Sequence, residues 1–524
     1  MKITTTKLNL YTSLFFVLFG NFAFFQHVLQ IYPFTLKNIG FLASLAVVLT
    51  TSIMFLLTLV SSKYTTKPIL IILLILTSAV TYFMNNYNVV IDHTMIQNML
   101  QTDFAETFDL ISSKLLYYCF LLGALPAFFV YIVKLESTSW KKAAITKTRD
   151  SLLCLLITIV LALLFSNFYT SFLREHKPLR YYTNPTYYIY SICKYINRTI
   201  NSSKIVVAPL GKDAQIPITD IDRELIILVV GEAARADRFS LNGYQRETNP
   251  LLQKEDVISF SNMHSCGTST AYSVPCMFSI FPQNKYSDKK GASSENLLDI
   301  LSHANVNVLW RDNNSDSKGV ALRVSYQDYK NPEINPVCDV ECRDEGMLVG
   351  LQEYIDGRQE GDILIVLHQM GNHGPAYYKR YPASIERFTP VCKTNQFDEC
   401  TQEEIGNAYD NAILYTDFFL AKIIKLLKKN SNQFEAAMVY MSDHGESLGE
   451  YGIYLHGLPY SMAPDCQKHI ASVFWFSDNF KIDKKSLHDK SAKQFSHDNL
   501  FHTILGLMEV ETSIYDKSLD IINN

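Results

Sequence analysis

The sequence predicts a five-helix membrane domain followed by a separate α/β domain, on three observations. Five long apolar segments crowd into the first third of the 524 residues, and lysine and arginine are unevenly distributed among the connections between them. Beyond residue 222, short apolar runs of strand length alternate with helical stretches.

Overall hydrophobic content is 48%, ordinary for a globular chain, so the information lies in where it falls. Residues 10–29, 39–60, 68–83, 115–133 and 152–172 are each apolar over about the length a helix needs to cross a bilayer. Lys2 and Lys7 precede the first segment, and Lys63 and Lys67 follow the second. Lys134, Lys141, Lys142, Lys147 and Arg149 join the fourth to the fifth, whereas the other connections carry only Lys37 and Lys114. The positive-inside rule puts the N-terminus in the cytoplasm, and five crossings deliver the rest of the chain to the far side. A cleaved signal peptide does not fit the first segment, which lacks a small-residue cleavage site and is followed by four more spans. Residues 1–173 are thus expected as the membrane domain, with an outer loop over 85–114. A net charge of -4 and the absence of a basic run argue against nucleic acid as a partner.

Cysteines test the orientation independently, because disulfides persist in oxidising compartments such as the periplasm. Cys266 with Cys276, Cys338 with Cys342, and Cys392 with Cys400 form three close pairs in the outer part, at spacings unlike those of a zinc ribbon. They are read as disulfides. Cys119 and Cys154 fall within spans, and Cys193 and Cys466 are left over.

Within loop 85–114, Asn98, Thr102 and Glu106 recur every fourth residue and share one helical face. Periodicity fits either a solvated face or a row that holds a lipid headgroup. Residues 174–222 are rich in tyrosine interleaved with Lys177, Arg180, Lys194 and Arg198, which predicts an interfacial linker along the bilayer.

The remaining domain, 223–524, opens with the continuous apolar run 225–230, the signature of a strand buried on both faces. Similar runs recur at 307–309, 363–367, 437–441 and 471–476, with helical stretches at 296–303 and 407–428 between them. A largely parallel, doubly covered sheet follows. Polar residues stand just after these runs: Glu232 after the first, Asp312, Asn313 and Asn314 after the second, His368 and His373 after the third, Asp443 and His444 after the fourth. Open α/β sheets bind ligands beyond the carboxyl ends of their strands, so these residues are expected on one edge. A carboxylate, an Asp-His pair and further histidines have the makings of a zinc-type site.

The hydroxyl-rich run from Cys266 through Thr268, Ser269 and Thr270 to Cys276 is the place expected to carry the chemistry. It leads into Met277-Phe278-Ser279-Ile280-Phe281, read as the first buried turns of a helix, whose N-terminus would favour an anion such as phosphate.

Several motifs carry a family resemblance: GEAARADRFSLNGYQRETNPLL from Gly231, CGTSTAYSVPCMFS from Cys266, RDNNSDSKG from Arg311, NHGPAYYKRYP from Asn372 and SDHGESLGEYGIYLHG from Ser442. With five preceding spans, the chain resembles the membrane-bound phosphoethanolamine transferases that modify lipid A, the mobile colistin-resistance enzymes among them. The resemblance implies an outer domain of the alkaline phosphatase and sulfatase fold, placed in the periplasm of the bacterial inner membrane. It implies Thr270 as nucleophile, and Glu232, Asp443 and His444 with Thr270 as ligands of one zinc ion. His373 and His456 are implied near a second metal or the transferred phosphate, with proton transfer the other role open to them. Asn314 and Lys318 are implied near the phosphate or ethanolamine, and Asn98, Thr102 and Glu106 as residues holding the lipid substrate. The three cysteine pairs match the family's disulfides, and Cys466 has no counterpart.

Transfer of phosphoethanolamine from phosphatidylethanolamine to a phosphate of lipid A, through a phospho-threonine, is the expected reaction, with polymyxin resistance as its consequence and a monomer as the working unit. The rival readings are a transferase of phosphoethanolamine or phosphoglycerol acting on a lipopolysaccharide core sugar or another envelope glycan, and a membrane-tethered sulfatase or phosphatase.

Overall fold

The computed structural model describes residues 2–101, 110–202 and 206–523. The chain divides into two compact units, Met1–Ile96 with Ile111–Asn197, and Gln97–Leu110 with Arg198–Asn524.

In the first unit three helical stretches are long and apolar enough to cross a membrane: Ile39–Val60, Thr66–Tyr87 and Ser113–Ile132. Two more pass only as bent pairs, Thr5–Phe19 with Phe22–Ile31 at 57° and Trp140–Leu164 with Ser166–Leu173 at 95°. The five expected segments are all present, but two are broken. The first break is stabilised by buried amides: Asn21 Nδ2 donates to Phe16 O at 2.9 Å and Asn184 O at 2.7 Å, and Asn184 Nδ2 donates to Gly20 O at 2.9 Å. Carbonyls that an interrupted helix leaves without N–H partners are thereby satisfied. The last helix begins at Trp140 and not near 152. Its basic first turns were read as connecting loop, but lysine and arginine are good helix formers and the helix simply starts beyond the apolar stretch.

Residues at one end of this unit bear on the orientation. Lys2–Ile3 pairs in parallel with Lys134–Leu135, Lys147 Nζ donates to Leu59 O at 2.5 Å, and Lys67 Nζ donates to Tyr131 O at 2.7 Å. The N-terminus and both basic connections therefore lie together, as the charge asymmetry requires.

The tyrosine-rich stretch is helical over Thr186–Ser202 and is built into the helical unit up to Asn197. Tyr188 is buried, its hydroxyl 3.0 Å from Thr77 Oγ1. A tyrosine that finds a polar partner packs inside as readily as it lies at an interface. Asn98 sits on the helix His93–Gln101, while Thr102 and Glu106 fall outside the described residues.

The second unit is built on a seven-stranded sheet. Its strands are β1 (Glu224–Gly231), β2 (Val257–Ser259), β3 (Asn307–Asp312), β4 (Ser325–Asp328), β5 (Ile363–His368), β6 (Glu435–Ser442) and β7 (Ser472–Phe476), in the order β2-β7-β6-β1-β5-β3-β4. β1 pairs in parallel with both β5 and β6, while β7 runs against β6 and β2. The expectation of a largely parallel sheet holds, with β7 reversed. Every residue of β1, β5 and β6 is buried, which is why those strands read as unbroken apolar runs. Ile226, Leu228, Val230, Leu364, Val366, Val439 and Met441 form one face of a core closed by Phe260, Trp310, Phe474 and Phe501. The helix Gln402–Asn430 has a capping box at Thr401 and Glu404.

Candidate active site

β1 lies between β5 and β6, so the residues following these three strands meet at one edge of the sheet. Glu232 leaves β1 through a tight turn in which Ala233 is left-handed, at φ 53°. Such a conformation costs an L-residue ~1–2 kcal/mol, and three hydrogen bonds hold it. Ala233 N–H donates to Asp443 Oδ1 at 3.1 Å, Ala234 N–H to Ser442 Oγ at 2.8 Å, and Tyr409 OH to Ala233 O at 2.6 Å. The chain after β5 crosses immediately above. At Gly371 φ is 48°, and a Cβ there would stand 3.0 Å from Glu232 O and 3.1 Å from its N, so glycine is required.

Thr270 comes from the other side. It is the first residue of the helix Thr270–Met277, with Ser269 as N-cap. The expectation that the helix begins at Met277 is overturned, since Met277 ends it. Pro282 biases Phe281 toward extended backbone, so the chain turns where a helix was expected to start. The hydroxyl run is itself the helix start, and Cys266 and Cys276 are disulfide-bonded across it. The pairs Cys338–Cys342 and Cys392–Cys400 are also formed, while Cys119, Cys154, Cys193 and Cys466 are free thiols.

Four expected side chains come together. Thr270 Oγ1 donates to Glu232 Oε2 at 3.0 Å and lies 3.3 Å from His444 Nε2. His444 Nε2 is in turn 3.3 Å from Glu232 Oε1 and 3.3 Å from Asp443 Oδ2. These two carboxylate oxygens are buried and have no hydrogen-bond donor. His444 Nδ1 is 2.8 Å from Gly445 O, which places its proton there and turns the Nε2 lone pair toward the carboxylates.

The electrostatics describe a place for a cation. Burial raises the Asp443 carboxyl to about 6, helped by repulsion from Glu232. Burial would raise Glu232 too, but the neighbouring His444 outweighs it and holds that carboxyl well below its ordinary value. Burial opposes charge on His444, yet Asp443 and Glu232 drive its pKa up to about 10. An imidazolium can thus stand in for a metal among two carboxylates. A divalent ion supplies that charge with His444 neutral, and a set of imidazole nitrogen, two carboxylates and a hydroxyl oxygen suits zinc.

A second group lies against the first. His456 stacks on His444 with ring centroids 4.1 Å apart, and His373 is 5.8 Å from His456 by the same measure. Glu232, His373 and His456 could share a metal, as could His444, Glu446 and His456. Glu446 is fully buried, takes His456 Nδ1 at 2.7 Å and accepts Tyr377 OH at 2.5 Å. Desolvation pushes His373 well below its ordinary pKa, favouring a neutral imidazole.

Asn314 is engaged with the carboxylate: its Nδ2 donates to Glu232 Oε2 at 2.9 Å and to Gln369 O at 2.7 Å. Lys318, left-handed at φ 50°, donates from Nζ to Ser315 O at 2.5 Å. His368 sits beneath this layer, its Nδ1 2.9 Å from Asp312 Oδ2, and Asn313 Nδ2 donates to Asp344 Oδ1 at 2.8 Å.

Two positions escaped the sequence reading. Glu446 lies three residues past Asp443 in a motif that otherwise reads as a turn. His497 accepts Cys266 N–H on Nδ1 at 3.1 Å and donates from Nε2 to Ser442 O at 2.9 Å, tying the Thr270 segment to the end of β6. It is separated from Cys266 by 231 residues, and no local pattern announces it.

Residues 224–510 match the sulfatase family, the class that this sheet and its polar edge define. Residues 49–200 match the family described as phosphoethanolamine transferase EptA/EptB. The chain is 42% identical over 510 residues to phosphatidylethanolamine transferase Mcr-1 of Escherichia coli, covering 94% of this chain and 92% of that protein. Phosphoethanolamine transferase EptA of Escherichia coli K12 is 40% identical over 513 residues, covering 96% and 93%. Among solved structures, the integral membrane protein lipooligosaccharide phosphoethanolamine transferase A of Neisseria meningitidis superposes with a TM-score of 0.96 at 35% identity, covering 100% of this chain and 99% of that one. The chain belongs to the phosphoethanolamine transferase family. It is an enzyme of the bacterial inner membrane with its sulfatase-like domain in the periplasm.

Proposed function

We propose that the protein transfers phosphoethanolamine from phosphatidylethanolamine to a phosphate of lipid A, with Thr270 as the covalent carrier. The observation that carries this reading is the hydroxyl of Thr270, buried at a helix N-terminus and within 3.3 Å of Glu232 and His444. A threonine hydroxyl is a poor nucleophile at neutral pH and needs such neighbours.

Glu232, Asp443 and His444, with Thr270, would hold a zinc ion. Bound there, zinc supplies Lewis-acid charge that favours the alkoxide of Thr270 and offsets negative charge on the phosphoryl oxygens. Thr270 Oγ1 passes its proton to Glu232 Oε2, to which it already donates, and attacks phosphorus; the bond from phosphorus to the diacylglycerol oxygen breaks, and the phosphoethanolamine ester of Thr270 forms. His456, oriented by Glu446 through Nδ1, presents Nε2 and supplies the proton to the departing diacylglycerol. An oxygen of a lipid A phosphate then attacks the same phosphorus and gives its proton to His456 Nε2, the bond from phosphorus to Thr270 Oγ1 breaks, and Thr270 takes its proton back from Glu232 Oε2. Backbone N–H groups at the start of the helix Thr270–Met277 face the developing negative charge. Asn314 keeps Glu232 aimed, and Lys318 binds the phosphate when its ammonium leaves Ser315. Asn98, Thr102 and Glu106 contact the lipid headgroup.

The product adds an ammonium to a phosphate-rich lipid and so weakens the attraction of cationic polymyxins. Cells expressing the chain are expected to show a phosphoethanolamine increment on lipid A by mass spectrometry, and cells expressing Thr270→Ala none. A retained increment in that variant, with protein present at equal level in the membrane, would rule out Thr270 as the carrier. An increment on the core sugars alone would replace the acceptor.

A further inference from the structure

Three carboxylates meet at the opposite edge of the sheet, one eight-residue strand and roughly 25 Å from Thr270. Glu224 is the first residue of β1, Asp362 immediately precedes β5, and Asp220 lies on the connection into β1. One oxygen of each lies within 4.8 Å of the others. Glu224 is 1% exposed and Asp362 3%. Glu224 Oε2 and Asp220 Oδ2 are buried with no hydrogen-bond donor, and the neighbouring carboxylate oxygens accept backbone N–H groups. Asp362 Oδ1 accepts Glu224 N–H at 3.1 Å, and Asp220 Oδ1 accepts Asp222 N–H at 3.2 Å.

Neighbouring cations are committed elsewhere. Arg223 donates from Nη2 to Gly361 O at 2.6 Å and to Arg358 O at 3.1 Å, and Lys481 pairs with Asp222 and, at 3.4 Å, with Glu435. Glu509 adds further negative charge near Glu224.

We propose that Asp220, Glu224 and Asp362 bind a hard divalent cation, calcium by preference, at a structural site separate from the catalytic centre. All the ligand atoms are oxygen, and there is no imidazole or thiolate to favour zinc. Calcium takes oxygen ligands in a flexible geometry, whereas magnesium demands a near-ideal octahedron and sheds water reluctantly, so three carboxylates whose positions are fixed by the sheet suit calcium better. Such an ion would satisfy both orphaned oxygens and fasten the connection at residue 220 to the entrances of β1 and β5. The competing arrangement is a proton shared between Glu224 and Asp362, since burial and Asp362 together raise the Glu224 carboxyl to about 9.

The full-length chain, purified in detergent and saturated with zinc, provides the test. Calcium at tenfold over its Kd is expected to raise Tm by about 2–3 °C, magnesium by less, and equilibrium dialysis with radioactive calcium should find one ion per chain. In Glu224→Gln the calcium shift should vanish while zinc content and transfer activity persist. Asp220→Asn, at a less buried position, serves the same purpose if the first variant fails to fold. No calcium shift in the parent chain, or an equal shift in a folded variant, would overturn the proposal and leave the shared proton as the explanation.

Discussion

Protonating His497 should loosen the catalytic edge, and the size of the effect follows from its two contacts. Nδ1 accepts an N–H from Cys266 and Nε2 donates to the carbonyl of Ser442, so only the neutral ring satisfies both. Desolvation, reinforced by the nearby His444, lowers its pKa to about 4. A metal ion in the site pushes in the same direction. Because the folded-state value is depressed below the ordinary 6.5, the stabilisation is fully present above pH 6.5. It is lost as the pH falls from 6.5 to about 4, where the unfolded chain takes up a proton that the folded chain refuses, and nothing further is lost below. The gap corresponds to about 3 kcal/mol, or roughly 4–6 °C in the melting temperature of the periplasmic domain. His497→Gln removes the titration. Thermal unfolding of both proteins, zinc-free so that metal release does not enter, should give a Tm difference that shrinks by about that amount between pH 7 and pH 4. A difference that stays constant across this range would refute the argument.

Chelation should abolish transfer, and zinc should restore it where magnesium does not, because the cluster of His444 with two carboxylates and a hydroxyl suits zinc; the check is transfer between lipids in vesicles after dialysis against a chelator. Glu446→Gln should lower kcat by ~10–100-fold with little change in KM, since it disturbs the proton-bearing orientation of His456 without touching Thr270. Thr270→Ser, which keeps the oxygen and loses a buried methyl, should retain measurable transfer where Thr270→Ala has none, in the same vesicle assay.

What the sequence made legible follows from where each signal is carried. β1, β5 and β6 are buried on both faces, so their composition alone identifies them, and the parallel order then forces Glu232, Asp443 and His444 together. β2 and β4 went unread because they are the edge strands, and Ser325–Asp328 is exposed throughout and carries no apolar run. The start of the helix at Thr270 was misplaced because hydroxyl residues cap helices and also begin them, and only the fold decides which. Asn314 was expected near the phosphate or ethanolamine, and its hydrogen bond to Glu232, across 82 residues of chain, is a side-chain placement that no local pattern reports. His497 and Glu446 act through single contacts that no periodicity reports.

The left-handed turn at Ala233 bears on how the centre assembles. The bonds that hold it come from Tyr409, Ser442 and Asp443, each distant along the chain. Glu232 is therefore aimed only after the helix carrying Tyr409 and the end of β6 have docked. In a nascent domain emerging into the periplasm the cage of Glu232, Asp443, His444 and Thr270 stays incomplete until then, and an ion held by all four would report that folding of this edge is complete.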